Sequence, residues 1–142
     1  MNRTTVYKTQ LVREKTVYST ESTNGPERAK LVAIEMTKDS PCELFVAIAL
    51  DTQLKVIGAS VITQGTLDAS LVHPREVFRF AFLANASAII VAHNHPSGFL
   101  TPSPQDIAVF DRLKACGKTL GIRVLDSIIC NDFEAYSMEE GN

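Results

Sequence analysis

His93 and His95 stand two residues apart at the end of an apolar run, Ala88 to Ala92, and Asp106 follows in what reads as a helix start. In an extended strand the side chains at i and i+2 point to the same side, so the two imidazoles can converge on one point. The helix carrying Asp106 must fold back past the same strand end. Two neutral imidazoles and one carboxylate form a three-ligand set for a catalytic Zn²⁺, with the fourth position left to water. A buried strand ending in a polar cluster is also where α/β proteins usually keep their chemistry. Each residue has a plainer reading when taken singly. A His-x-His pair is a short pattern, and Ser103-Pro104-Gln105-Asp106 reads as an N-cap, a Pro at N1 and an acid favoured by the helix dipole. Pro96, Pro102 and Pro104 stiffen the intervening loop, and Gly98 permits a tight bend. Phe99-Leu100 at its tip is apolar, which suits contact with a substrate chain, a partner or a neighbouring loop.

The elements that must position these residues follow from apolar periodicity and from Gly and Pro punctuation. Val6 to Val12 and Thr16 to Ser19 have the Thr, Val and Tyr content of short strands. Thr23-Asn24-Gly25 is a turn signal, and Pro26 opens a helix over about 26–37 with Leu31, Val32, Ala33, Ile34 and Met36. Glu43 to Leu50 is apolar on both faces apart from Glu43, the pattern of a central, doubly covered strand. A turn over Asp51 to Lys55 joins it to a second strand, Val56 to Thr63. Gly65-Thr66-Leu67 leads into a loop ending at His73-Pro74, and a helix runs from Pro74 to about Asn85 with Val77, Phe78, Ala81, Phe82 and Leu83 facing the core. His73 reads as a loop or cap residue, with a third imidazole ligand as its alternative. Ala88 to Ala92 is the strand feeding the active loop. The helix from Pro104 to Cys116 is expected to stop at Gly117, with Ile107, Phe110 and Leu113 as its buried stripe. Ile122 to Leu125 and Ile128 to Cys130 read as one or two late strands, and Phe133 to Met138 as a last short strand. Alternating strands and helices predict an α/β fold with a mixed β-sheet flanked by helices.

At 142 residues, with 45% hydrophobic and 21% charged side chains, the chain has the size and composition of one globular domain. It divides into an N-terminal arm or edge strands over 1–25 and the domain proper over 26–142. Fourteen basic against sixteen acidic residues give a formal charge of −2, which disfavours a nucleic-acid protein. Arg3, Lys8, Arg13 and Lys15 against Glu14 make the arm locally basic, either a weak anion-binding segment or a solvated terminus. No secretory leader is expected, and no stretch approaches the ~20 apolar residues of a membrane span. Cys42, Cys116 and Cys130 are odd in number and form no Cys-x-x-Cys, so reduced thiols and a cytoplasmic location are expected.

His-x-His, seven positions beginning with Pro, Ser, two positions and Asp is similar to the signature of the JAMM (MPN-plus) metalloproteases; here it is His93-Asn94-His95-Pro96, Ser103 and Asp106. His-Asn-His-Pro-Ser-Gly at 93–98, Gly65-Thr66-Leu67, Val72-His73-Pro74-Arg75-Glu76-Val77-Phe78 and Gly121-Ile122-Arg123-Val124-Leu125-Asp126 resemble the RadC-like branch, over about residues 40 to 140. The resemblance implies a single JAB/MPN-type domain with cytidine-deaminase-like layering, and Zn²⁺ held by His93, His95 and Asp106. It also implies a glutamate on an early strand; Glu43 is the position that matches, with Glu76 as rival at a helix start where the dipole explains an acid. Glu43 would then act as base on a metal-bound water attacking an amide carbonyl, and Ser103 would donate to the developing oxyanion. The helix-hairpin-helix segment often found upstream in longer relatives is not expected in a chain of this length. Where the family commonly has His after the Asp, Ser127 follows Asp126, so no role of that histidine carries over.

The expected function is therefore a zinc-dependent metallopeptidase or isopeptidase-like amide hydrolase acting on a peptide or protein. Two readings stand beside it. One is a domain of the same fold working in binding or assembly, with weak catalysis. The other is a DNA-repair-associated role, long linked to RadC-like proteins but opposed by the charge balance. His93-Asn94-His95 is not an HNH nuclease signature, and the deaminase pattern His-x-Glu with Pro-Cys-x-x-Cys is absent.

Overall fold

The computed structural model describes residues 1–18, 25–65 and 72–141. Ser19, Thr23-Asn24 and Thr66-Leu67 lie outside them. The elements are α1 (Pro26–Thr37), β1 (Leu44–Leu50), β2 (Val56–Gln64), α2 (Pro74–Leu83), β3 (Ala88–Asn94), α3 (Pro104–Leu120), β4 (Arg123–Cys130) and β5 (Ala135–Ser137). A proline opens each helix, where its missing N–H leaves no partner unsatisfied. The strands form one mixed sheet in the order β2-β1-β3-β4-β5, so the strands expected at 43–50, 56–63 and 88–92 are neighbours. β1 pairs antiparallel with both β2 and β3, β3 pairs parallel with β4, and β4 pairs antiparallel with β5.

Every residue of β1 and of β3 is buried, because helices cover both faces of the sheet. On one face Phe45, Ala47, Ala49, Ile89 and Val91 pack against Val77, Phe78 and Ala81 of α2 and Val109, Phe110 and Leu113 of α3. On the other Leu44, Val46, Ile48, Ile90 and Ala92 pack against Ala29, Val32 and Ala33 of α1. The architecture is thus α/β in three layers. A bulge between Ile89 and Ile90 reverses the facing of β4, so that Val124 and Ile129 share one core and Ile128 and Cys130 the other. No described helix is long and apolar enough to cross a membrane.

Several expectations need correction. Residues 1–18 hold no helix or strand, so the strands expected at Val6–Val12 and Thr16–Ser19 do not form within them. Val6, Tyr7 and Val12 are exposed, and strand-forming residues without a face to pack on do not make a strand. β3 runs two residues further than the apolar run, because its pairing with β4 continues to Asn94↔Cys130. Of the one or two strands left open at 122–130, the structure forms one. Phe80 is buried where Phe82 was expected, and Phe82 faces solvent. Ile107 is likewise exposed, and the buried stripe of α3 is Asp106, Val109, Phe110, Leu113 and Gly117.

Gly117 does not stop α3. The helix continues to Leu120 and ends at Gly121, whose φ of 76° is the left-handed cap conformation. Gly117 is instead the point where the helix meets the strand after it: a Cβ there would lie 2.2 Å from the Ile122 carbonyl oxygen. Replacing an interior helical Gly by Ala ordinarily gains about 1 kcal/mol. Here Gly117→Ala should destabilise by about 1–3 kcal/mol through overpacking, as read by equilibrium urea unfolding. A stabilised variant would show that helix and strand do not approach this closely.

Candidate metal centre

The sheet brings several chain segments to one end. β3 and β4 run parallel and both finish there, while β1 runs against β3 and begins there. The last β1–β3 pair is Phe45↔His93, so continuing the register sets Glu43 opposite His95. Residues 43, 45, 93 and 95 share the α2–α3 face through the two-residue pleat. The first turn of α3 lies over that face and buries Asp106.

Three ligand atoms converge there. His93 Nε2 is 3.0 Å from Asp106 Oδ1, His95 Nε2 is 3.4 Å from Asp106 Oδ2, and the two Nε2 atoms are 3.1 Å apart. Ligands about 2.1 Å from a tetrahedral ion stand about 3.4 Å from one another, so the triangle has the size of one face of such a site. The cluster is the group of His, Cys, Asp and Glu side chains, among the described residues, whose ligand atoms come close enough to hold a metal ion.

Each ligand is oriented by a neighbour. His95 Nδ1 lies 2.8 Å from the Phe99 carbonyl oxygen. A carbonyl can only accept, so Nδ1 carries a proton, and in the neutral ring Nε2 presents its lone pair to the cluster. The loop delivering Phe99 is folded by a Gly98 N–H···O bond to His95 at 2.9 Å, with Gly98 at φ 87°, and is anchored by Asn131 Nδ2 donating to the Gly98 carbonyl. His93 stacks on Phe45 with ring centroids 6.0 Å apart. Its buried Nδ1 has no hydrogen-bond partner among the described residues, where the ring's polar contacts run through Nε2. Asp106 Oδ2 also accepts from the Ser103 N–H at 2.8 Å, and the Asp106 N–H donates to Ser103 Oγ at 3.1 Å. That capping box closes the helix start and locks the carboxylate at once.

The electrostatics favour a cation. Burial pushes the Asp106 carboxyl up, but bonds from His93, His95 and the Ser103 N–H outweigh it and hold the group well below the usual carboxylate range. The hydrogen bond to Asp106 raises His95 above the ordinary imidazole value, against the opposing effect of burial. Proton and metal compete for the same lone pairs, and a carboxylate that attracts the one attracts the other.

An open cleft of ≈ 430 Å³ beside the cluster is lined by Glu43, His95, Pro96, Ser97, Ser103, Gln105, Asp106 and Val109. Glu43 and Ser103 therefore share one cleft with His95 and Asp106. Glu76 does not line it; it sits in the first turn of α2, 3.9 Å from Arg79. His73 is the N-cap residue of α2, exposed and outside the cluster. Ser127 is buried within the sheet opposite Val91, its N–H bonded to Asp126 and its carbonyl to the Met138 N–H. The Phe99 carbonyl and Asn131 are contributors that sequence reasoning missed. A backbone acceptor leaves no trace in residue type, and Asn131, 36 positions after His95, is brought to the loop by tertiary folding alone.

Ser103→Ala should cost about 1 kcal/mol of stability in chemical denaturation, because it removes the acceptor of the Asp106 N–H. An unchanged midpoint would show that the hydroxyl does not cap the helix.

Comparison with known proteins agrees with this geometry. Residues 23–142 match the RadC-like JAB domain family. The UPF0758 protein of Staphylococcus haemolyticus is 47% identical over 118 residues, covering 82% of this chain and 52% of the relative. That of Thermotoga maritima is 49% identical over 98 residues, covering 69% and 44%, and that of Finegoldia magna 42% over 120 residues, covering 84% and 54%. The chain thus spans about half the length of these relatives. A match over most of its residues, on a fold and His-His-Asp cluster of the expected kind, means that the chain belongs to the RadC-like JAB domain family.

Proposed function

We propose that the cluster binds Zn²⁺ and that the domain is a zinc-dependent metallopeptidase or isopeptidase-like amide hydrolase. The observation that carries this reading is the convergence of His93 Nε2, His95 Nε2 and Asp106 beside a cleft that His95 and Asp106 line together with Glu43 and Ser103. Zinc fits a mixed nitrogen and oxygen donor set with three protein ligands, whereas Mg²⁺ and Ca²⁺ favour oxygen donors throughout. When bound there, zinc lowers the pKa of its water to about 7 and polarises a substrate carbonyl.

The chain's own residues supply the rest. Glu43 accepts a proton from the attacking water at its carboxylate and passes it to the leaving amide nitrogen. Ser103 Oγ already accepts from the Asp106 N–H, which leaves its O–H free to donate toward the carbonyl oxygen as negative charge develops. The loop holding Pro96 and Ser97 walls the cleft, so an extended peptide can enter from the open side. A peptide or protein substrate accords with this chemistry, and the three free thiols accord with the cytoplasm.

Metal binding is tested by Asp106→Asn. Asn is nearly isosteric and can still accept from the Ser103 N–H, so the fold should persist while zinc affinity drops under chelator competition. Full zinc retention would reduce Asp106 to a helix cap. In the parent protein, acidification should release zinc as His95 is protonated, read as free metal against pH.

Turnover is tested with a peptide library and zinc-loaded protein. Glu43→Gln should keep fold and zinc yet lose nearly all cleavage. Ser103→Ala should lose roughly 10²-fold. Combined, the second change should add little, because groups acting as a unit are non-additive. An active Glu43→Gln protein would remove Glu43 from the role of base.

A further inference from the structure

We propose that Asn94, the residue between the two histidines, is a positioning residue that sets Glu43 over the metal cluster; the inference rests on the hydrolase reading above. The pleat that turns His93 and His95 toward α3 turns Asn94 to the opposite side, the face where Ala92 and Cys130 pack beneath α1. Asn94 therefore does not join the ligand set, yet it is only 5% exposed.

Its carboxamide bonds to the start of β1. Oδ1 accepts from the Leu44 N–H at 2.7 Å, and Nδ2 donates to the Cys42 carbonyl at 3.1 Å. These two backbone groups belong to the peptide units on either side of Glu43. The β1–β3 backbone ladder ends at Phe45↔His93, one residue pair short of this point. The Asn94 side chain, with one donor and one acceptor like a peptide group, extends the ladder to the segment that carries the proposed base. From the other side the Glu43 carbonyl accepts from the Gly65 N–H at 2.9 Å. Glu43 thus leaves a backbone held on both flanks, and its carboxylate reaches the cleft from a fixed origin. Proton transfer needs such placement, since a displacement of about 1 Å can cost roughly 10²-fold in rate. Only Asn offers both functions at this reach; Asp lacks the donor for Cys42, and Ser lacks one of the two contacts.

The test uses the full chain, with Asn94→Ala and the milder Asn94→Asp, which keeps an acceptor for Leu44. Loss of the clamp should speed amide exchange at Leu44 by roughly tenfold, the scale of one hydrogen bond. Zinc retention under chelator competition should stay as in the parent, because the ligands are untouched. The decisive readout needs no activity. Titrating zinc into the parent should shift the ¹³C resonance of the Glu43 carboxylate, and both variants should respond less, Ala less than Asp. Peptide cleavage should fall roughly 10²-fold in Asn94→Ala through kcat rather than KM, and Asn94→Ala should add nothing in a Glu43→Gln background. A folded variant with fast Leu44 exchange and a parent-like Glu43 response to zinc overturns the proposal, as does an equal loss of cleavage with and without Glu43. If the parent cleaves no peptide, the hydrolase reading fails, and the zinc response of Glu43 still decides whether Asn94 sets its position. Should Asn94→Ala fail to fold, Asn94→Asp, which loses only the donor to the Cys42 carbonyl, decides by the zinc response alone: a weakened Glu43 response supports the proposal and a parent-like one overturns it.

Discussion

The carboxylate of Asp106 ties the end of the central strand to the start of the longest helix. One oxygen faces His93; the other accepts from the Ser103 backbone and faces His95. A buried carboxylate is costly unless it is paired and hydrogen-bonded, and this one is both. The same group therefore closes the helix, orders the histidines and collects negative charge where a cation can sit. Were α3 to start one residue later, Asp106 would leave both the cap and the cluster. Cap and ligand are here one geometric condition, so the structural reading and the functional reading of this residue do not compete.

Strand direction explains why the site is assembled from distant parts of the chain. The histidines lie at the carboxyl end of β3, which is also where parallel β4 ends, the usual place for a site in an α/β sheet. Because β1 is antiparallel to β3, residues before β1 reach the same end. Glu43 thus meets His95 across fifty-odd positions of sequence through a register continued by one step. Full burial of β1 and β3 supports that register, since a slip of one residue would exchange the two cores and turn the histidines toward α1.

The chain end is secured by a second buried carboxylate. Asp126 accepts from the Ser127 and Glu139 N–H groups and from Ser137 Oγ, which fastens β5 and the segment after it to β4. Burial holds its pKa above the ordinary value despite these bonds, whereas Asp106 with two imidazoles beside it lies below. Two aspartates, both buried, are pushed in opposite directions by what surrounds them, and the one lowered belongs to the cluster that could hold a metal ion.

Amphipathic period, proline at the helix starts and short apolar runs were enough to locate the three helices and the strands of the sheet's centre, and the two-residue pleat to converge His93 with His95, because these are local rules of backbone geometry. The resemblance carried by His-x-His-Pro, Ser103 and Asp106 pointed to Glu43 as well. Local rules failed where distance in sequence decided the outcome. Gly117 looked like a stop, but the close approach of Ile122 explains it. Ile107 and Phe82 looked like core, but only packing decides which apolar side chain of a helix faces the sheet. The strand residues of the arm found no sheet to join. The tautomer of His95, set by a carbonyl four residues on, and the hold of Asn94 on both sides of Glu43 required the tertiary structure, because hydrogen bonds to backbone atoms depend on where the chain returns and not on which residue it carries there.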